Sequence, residues 1–349
     1  MHRARSLAAA AIVALLCVAT VSCRGRKPPP QLSPSKEIRW LGKGGGFAVW
    51  GATNDGIYGV HVKPNVFEIW KWDGPELNSY LSIPLSDTLT VVPLPGDRYA
   101  ASFRMHPVQV LDAREDKVIR SWGYEQGWGV SILGLSRNRA FIVAVMQPER
   151  PTFEEPDKLG IRLLDVERLE LRRCEDITGE GYGALSSAAV SDDGKHIAIG
   201  GWDNLVIVLD AVSGREVWRG RPPDSPLKDV VFSSNGATIF ATDPIGMVYE
   251  MDFRTGKVKG RWCATSSDEP IYGQRISALA VSPDEKWIAA GTGPEGEVYL
   301  WNTQTGRKWL LNHGLITILV VSFSPDSKHV VSMAGGMLKI WDVPVMPGE

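Results

Sequence analysis

From about residue 45 to residue 343 the chain alternates short apolar runs with tight polar turns. The runs are too short for amphipathic helices and rich in Val, Ile, Leu and Trp, which suits strands. Residues 185–219 show the pattern best. An apolar run at 185–190 is followed by the turn Asp192-Asp193-Gly194, a second run at 196–200, a third at 205–209, a turn at 210–214 and a more polar run at 215–219. Near-continuous apolar runs predict inner strands covered on both faces, and the polar fourth run predicts an outer strand.

That unit recurs. Its first turn reappears as Thr53-Asn54-Asp55-Gly56, Pro95-Gly96-Asp97, Arg137-Asn138-Arg139, Ser234-Asn235-Gly236, Pro283-Asp284-Glu285 and Pro325-Asp326-Ser327, at steps of 41 to 55 residues. A second marker, an apolar residue followed by Asp or Asn, closes the third run at Trp72-Asp73, Leu111-Asp112, Leu164-Asp165, Leu209-Asp210, Met251-Asp252, Trp301-Asn302 and Trp341-Asp342. Two markers keep one phase through seven units. Four strands per unit of about 42 residues is the blade of a β-propeller, and blades must stack because one alone cannot bury both faces. The expected fold is all-β: a seven-bladed β-propeller with four antiparallel strands per blade.

Ser282-Pro283-Asp284, Phe323-Ser324-Pro325-Asp326 and Lys339-Ile340-Trp341-Asp342 resemble WD-repeat sequences, most strongly from residue 185 onward. The resemblance implies a ring closed by pairing an N-terminal strand into the last blade. That blade has runs at 316–323, 329–333 and 337–343 but no fourth, and residues 37–41 have strand composition and no unit of their own. The resemblance also implies a Gly-His pair before each blade and an Asp in the loop between the second and third strands, which form a hydrogen-bonded tetrad with the Trp. His313 and Asp203 are the one plausible His and the one plausible Asp, and they belong to different units.

The N-terminal 22 residues read as an export signal, with Arg3 and Arg5 before an apolar stretch at 7–21 that is too short to span a bilayer. It ends in Thr20-Val21-Ser22-Cys23, which resembles a bacterial lipobox and implies a diacylglycerol on Cys23. Ordinary signal-peptidase cleavage and an uncleaved anchor are the alternatives. Residues 23–36, with Arg24, Arg26, Lys27 and three consecutive prolines, read as an extended basic tether before a propeller at 37–349 (closing strand 37–41, blades 45–343).

Net charge is −2 with acids and bases mixed, which argues against nucleic-acid binding. The six His residues lie in separate units, away from zinc-ligand spacing. Nucleophile-elbow, zincin and phosphate-loop motifs are missing from the sequence; Gly42-Lys43-Gly44-Gly45-Gly46 lacks the Ser or Thr and the helix a phosphate loop needs. No cofactor, metal or catalytic residue is expected. Cys174 and Cys263 belong to non-adjacent blades, too far apart for a disulfide.

In the connectivity implied by the resemblance, the first-second and third-fourth turns share one end of the ring. The second-third loops and the blade links share the other. Every long insertion (122–129, 147–160, 175–183, 221–226 and 263–275) falls in the second set. These insertions, with the loop after residue 201, carry Trp122, Tyr124, Trp128, Tyr182, Trp202, Arg221, Tyr272 and Arg275, residue types that anchor interfaces. The expected function is a monomeric, membrane-tethered scaffold binding a protein partner in the bacterial cell envelope, on the periplasmic or extracytoplasmic face of the inner or outer membrane. The alternative is an exported propeller enzyme, lactonase- or glycan-hydrolase-like, with its site in the central mouth. Its only candidates are Asp203 and the Glu154, Glu155 and Asp157 group.

Overall fold

A computed structural model describes residues 29–346, apart from residues 40–46, 54–55, 64–65, 73–76, 85–87, 95–97, 104–107, 113–114, 116, 123–127, 139, 149–157, 174–176, 179–184, 202–203, 222–226, 267–275, 294, 315–316, 319 and 335–336. Among the described residues every regular element is a strand and there are no helices.

Two short strands come first, β1 (Gln31–Leu32) and β2 (Lys36–Arg39). Four-stranded antiparallel meanders follow. The first is β3 (Phe47–Thr53), β4 (Gly56–Lys63), β5 (Val66–Trp72) and β6 (Leu77–Pro84); the second is β7 (Thr88–Leu94), β8 (Arg98–Phe103), β9 (Val108–Asp112) and β10 (Lys117–Trp122). The third is β11 (Trp128–Ser136), β12 (Phe141–Pro148), β13 (Lys158–Asp165) and β14 (Glu170–Arg173), with a short extra strand, β15 (Ile177–Thr178), against the start of β13. The fourth is β16 (Leu185–Val190), β17 (His196–Gly201), β18 (Val206–Asp210) and β19 (Glu216–Gly220). The fifth is β20 (Asp229–Phe232), β21 (Thr238–Thr242), β22 (Met247–Asp252) and β23 (Val258–Cys263). The sixth is β24 (Ile276–Val281), β25 (Trp287–Thr292), β26 (Glu297–Asn302) and β27 (Lys308–Asn312). The last meander has three strands, β28 (Val320–Phe323), β29 (His329–Ala334) and β30 (Met337–Asp342), and β2 pairs antiparallel along β30 from Lys36↔Ile340 to Arg39↔Met337. The first strand of this unit begins at Val320, later than the apolar run starting at 316, because the Ile318 N–H bonds across to Thr292 O in the sixth sheet at 3.0 Å.

The recurring turn has one chemistry. Ser136 ends a first strand and Ser191, Ser233, Ser282 and Ser324 directly follow one, and each hydroxyl donates to the Asn or Asp two residues on at 2.6–2.9 Å. The same hydroxyl accepts the N–H five residues on at 2.9–3.0 Å, where the second strand starts. The Asn or Asp closes the motif by accepting the N–H two residues beyond itself. The third-strand marker works similarly. Asp165, Asp210, Asp252 and Asn302 each accept backbone N–H groups two and three residues on. The chain then passes through a left-handed residue: Gly214, Gly256 and Gly306 at φ 71°, 66° and 70°, and Leu169 at φ 56° in the third sheet. Leucine is tolerated there because its side chain packs on the core between the second and third sheets.

Each core is shared by two successive sheets. Val143, Val145, Ile161 and Leu163 of the third sheet meet Ile197, Ile199 and Ile207 of the fourth. Val206 and Val208 of the fourth meet Val230, Ile239 and Met251 of the fifth, Val248 of the fifth meets Ile288 and Trp301 of the sixth, and Trp287 and Leu300 of the sixth meet Phe323 and Trp341 of the last. First strands sit beside first strands: β3 by β7, β16 by β20, β20 by β24, β24 by β28, and β28 by β3. Between β11 and β16 the approach is close enough for parallel pairing, Leu135↔Ala189 and Ser136↔Val190. Gly134 permits it, since a Cβ there would lie 2.3 Å from the Ala188 carbonyl oxygen.

The expectation of an unpacked tether through residue 36 needs amending from Pro30 onward. β1 pairs parallel with β27, Gln31↔Leu310 and Leu32↔Leu311, and Leu32 packs on the core of the sixth and last sheets. Isolated extended residues rarely hold a position, but here an apolar side chain and an open sheet edge are both available.

Candidate functional site

Two ends of the molecule follow from strand direction. The turn end carries the first-second and third-fourth turns, and the loop end carries the second-third loops and the links between sheets. At the turn end neighbouring sheets are bonded to each other. Asp192 accepts from the Asn138 N–H at 2.9 Å and pairs with Arg137 at 3.1 Å. Glu285 accepts from the Asn235 backbone and side-chain amides at 2.5 and 2.6 Å, and the Asp284 N–H donates to Ser327 Oγ at 3.1 Å. Bonds from the Ser213 backbone and hydroxyl hold Asp210 below the usual carboxylate range. These acids are committed to turn geometry.

At the loop end the candidate residues separate. Trp128 opens β11 opposite Pro148 at the end of β12, and it is half-buried. Its ring lies over Gly160, where a Cβ would meet it at 3.5 Å. Residues 123–127 lead into Trp128, 149–157 join β12 to β13, and β15 pairs Ile177 with Leu159 and Thr178 with Lys158. Three of the five insertions therefore spring from the loop end of the third sheet. Arg221 follows β19 at the loop end of the fourth sheet and is exposed. Tyr124, Tyr182, Trp202, Tyr272, Arg275 and Cys23 lie outside the described residues, as do Asp203 and the acids at 154, 155 and 157.

Trp122 is a correction. It is 4% exposed at the end of β10, in one core with Leu94, Val108, Val110 and Ile142. The rest of β10 points outward, and the strand's last residue turns in where the second sheet meets the third. Trp122 is a core side chain and drops out of the exposed set.

Two groups were invisible in the sequence reading. Asp229 opens β20 at the position of Ser187 in the fourth sheet and Ala278 in the sixth, and Lys228 before it takes the place of Ser186 and Ser277, whose hydroxyls reach the carbonyls of Leu227 and Ile318 in the next sheet. Asp229 instead accepts from the Ser187 hydroxyl at 2.7 Å and the Val230 N–H at 2.9 Å, while Lys228 Nζ donates to Ile276 O at 3.0 Å. Burial pushes its carboxyl above the usual range. Asp243, also raised by burial, accepts from Tyr249 Oη at 2.8 Å and from the Met247 N–H. The signal in the sequence was an acid at a first-strand position where the third, fourth, sixth and last units carry Ile132, Ser187, Ala278 and Val320. Neither carboxylate is presented as a general acid or base; both hold strands. Among the described residues no three His, Cys, Asp or Glu are grouped to hold a metal. Cys263 is buried, with its Sγ 3.3 Å from Thr265 Oγ1.

The last sheet carries part of the implied tetrad. Trp341 Nε1 donates to Ser332 Oγ at 2.8 Å, and His313 Nε2 lies 3.3 Å from Ser332 O. Burial pulls the His313 pKa down to about 4, so the imidazole is neutral.

The WD domain, G-beta repeat model matches residues 175–210, 271–302 and 310–342. A periodic tryptophan protein 2 homolog of Dictyostelium discoideum is 25% identical over 169 residues, 47% of this chain and 18% of that protein. An uncharacterized WD repeat-containing protein of Synechocystis sp. is 24% identical over 157 residues, 44% of this chain and 42% of that protein. The chain thus spans less than half the length of either curated relative. A chain in a crystal structure of the Mitotic Checkpoint Complex superposes with a TM-score of 0.66 at 17% identity, covering 92% of this chain and 94% of that one. The protein has a β-propeller fold, and three stretches of it match the WD40 repeat.

Proposed function

We propose that the chain is a seven-bladed propeller whose ring is closed by β2, exported and held to a membrane by lipid on Cys23, and that its loop end binds a protein partner. The ring reading is supported by the antiparallel pairing of β2 with β30 and by the contact of β28 with β3. The anchor rests on the sequence ending in Cys23. The binding reading rests on one asymmetry: turn-end loops are short and bonded to each other, whereas insertions with aromatic and Arg side chains gather at the loop end. WD40 propellers generally serve as scaffolds, which supports the same reading. Desolvated Trp, Tyr and Arg anchors contribute about 2 kcal/mol or more each to an interface.

Two measurements test it. Cys23→Ser should move the protein from the membrane to the soluble fraction; wild-type protein that is already soluble and carries no acyl mass ends the anchor reading. Crosslinking in native membranes should capture one specific partner, and Trp128→Ala with Tyr272→Ala should abolish capture while the melt stays nearly unchanged. Capture that survives both substitutions refutes the loop-end site.

A further inference from the structure

The arm that precedes the first sheet fixes which end of the propeller faces the anchor. β27 runs from the turn at 303–305 toward the loop end. β1 is parallel to it, so the chain before Gln31 lies on the turn-end side. Pro30 O accepts the Leu310 N–H at 2.9 Å, two residues along β27 from its turn-end start, or about 7 Å at strand rise. The arm then crosses to the last sheet. Ser35 gives both its N–H and its hydroxyl to Ile340 O, at 2.8 and 3.0 Å, and Glu37 pairs with Lys339 Nζ at 3.1 Å. With Leu32 on the core between these two sheets, the arm is fastened at both.

We infer that this strap orients the propeller on a membrane, turn end toward the lipid and loop end toward the aqueous phase, so that the loop end receives a partner's water-soluble domain. The inference rests on the anchor at Cys23 proposed above. Only residues 24–29 lie between Cys23 and Pro30, and six residues can span at most roughly 20 Å. A tether free to residue 36 would reach roughly twice as far and let the ring tumble. The strap halves that reach and brings it out near the turn end of the sixth sheet. Among the described residues the turn end offers short turns, several bonded across sheets, with cations and acids interspersed. The exposed large apolar side chain among the described residues of its turns is Val212, too little by itself to hold the propeller in a bilayer, so the orientation comes from the tether.

The test uses the chain from Cys23 to its end, with Cys174→Ser, coupled through Cys23 to a maleimide lipid in neutral phosphatidylcholine vesicles, which imposes the anchor whether or not the cell attaches one. A genetically encoded fluorophore replaces either Gln304, exposed in the turn before β27, or Asn312, exposed at its far end. Energy transfer to a headgroup acceptor should be severalfold stronger from position 304. Inserting fifteen Gly and Ser residues between Pro28 and Pro29 should bring the two positions close to equality. Equal transfer without the insertion, or stronger transfer from 312, overturns the orientation. The absence of an acyl group on the native protein overturns the anchor reading instead, and the coupled vesicles still report the orientation.

Discussion

Gly134→Ala measures how closely the third and fourth sheets approach. The added methyl would sit 2.3 Å from Ala188 O and 2.8 Å from Val143 Cγ1. Ordinary C···O contacts start near about 3.3 Å, so β11 and β16 must part by roughly 1 Å. That movement disrupts the Leu135↔Ala189 and Ser136↔Val190 pairing and opens the core around Val143 and Ala188. Overpacking of this kind costs about 1–3 kcal/mol, and a hydrogen bond or two lost with it adds about 1 kcal/mol each. The expected total is about 2–5 kcal/mol. Gly306→Ala is the control. Its φ of +70° is left-handed but a Cβ there meets nothing within 4 Å, so only the backbone penalty of about 1–2 kcal/mol applies. Urea melts followed by Trp fluorescence should show Gly134→Ala losing clearly more stability than Gly306→Ala, with unchanged slopes. A Gly134→Ala protein as stable as the control refutes the close approach.

Three further outcomes follow from burial and pairing. The unfolded chain titrates His313 near 6.5 and the folded chain near 4, so between these values only the unfolded chain takes up the proton and stability falls as pH falls. The loss approaches about 3 kcal/mol at the acid limit. The difference between wild type and His313→Gln isolates it, because the raised Asp229 and Asp243 are common to both; a difference independent of pH refutes the buried neutral imidazole. Trp122→Ala should cost about 3–5 kcal/mol as a core truncation, and Trp122→Phe far less, since Nε1 has no hydrogen-bond partner among the described residues; a mild Trp122→Ala with lost partner capture would return the residue to the interface. Removing residues 24–29 should leave the melt unchanged, whereas removing 24–35 should lower it measurably through loss of Leu32 packing and the Ser35 bonds; equal melts for the two truncations refute the strap.

Strand positions were legible because hydroxyl, Asx and glycine turns have fixed chemistry. In the fourth sheet the runs at 185–190, 196–200, 205–209 and 215–219 differ from the strands by one residue or none at each end. β1 was hidden because two residues behind three prolines carry no period; their strand state comes from the open edge of β27. Asp229 was hidden because burial of a carboxylate depends on which sheet is its neighbour. Trp122 misled because an aromatic at a strand end beside an insertion reads the same whether its ring points in or out. Tyr272 and Trp128 look alike in sequence, yet of the two only Trp128 lies on a described strand.

The working face is tested most directly by amide hydrogen exchange on the purified protein, alone and with the partner recovered by crosslinking. Protection should appear at 123–128, in the links starting at Arg221 and at 267–275, with the turns at 191–195, 234–237 and 283–286 exchanging as in the free protein. Protection confined to those turns would mean that the partner sits on the other end of the ring.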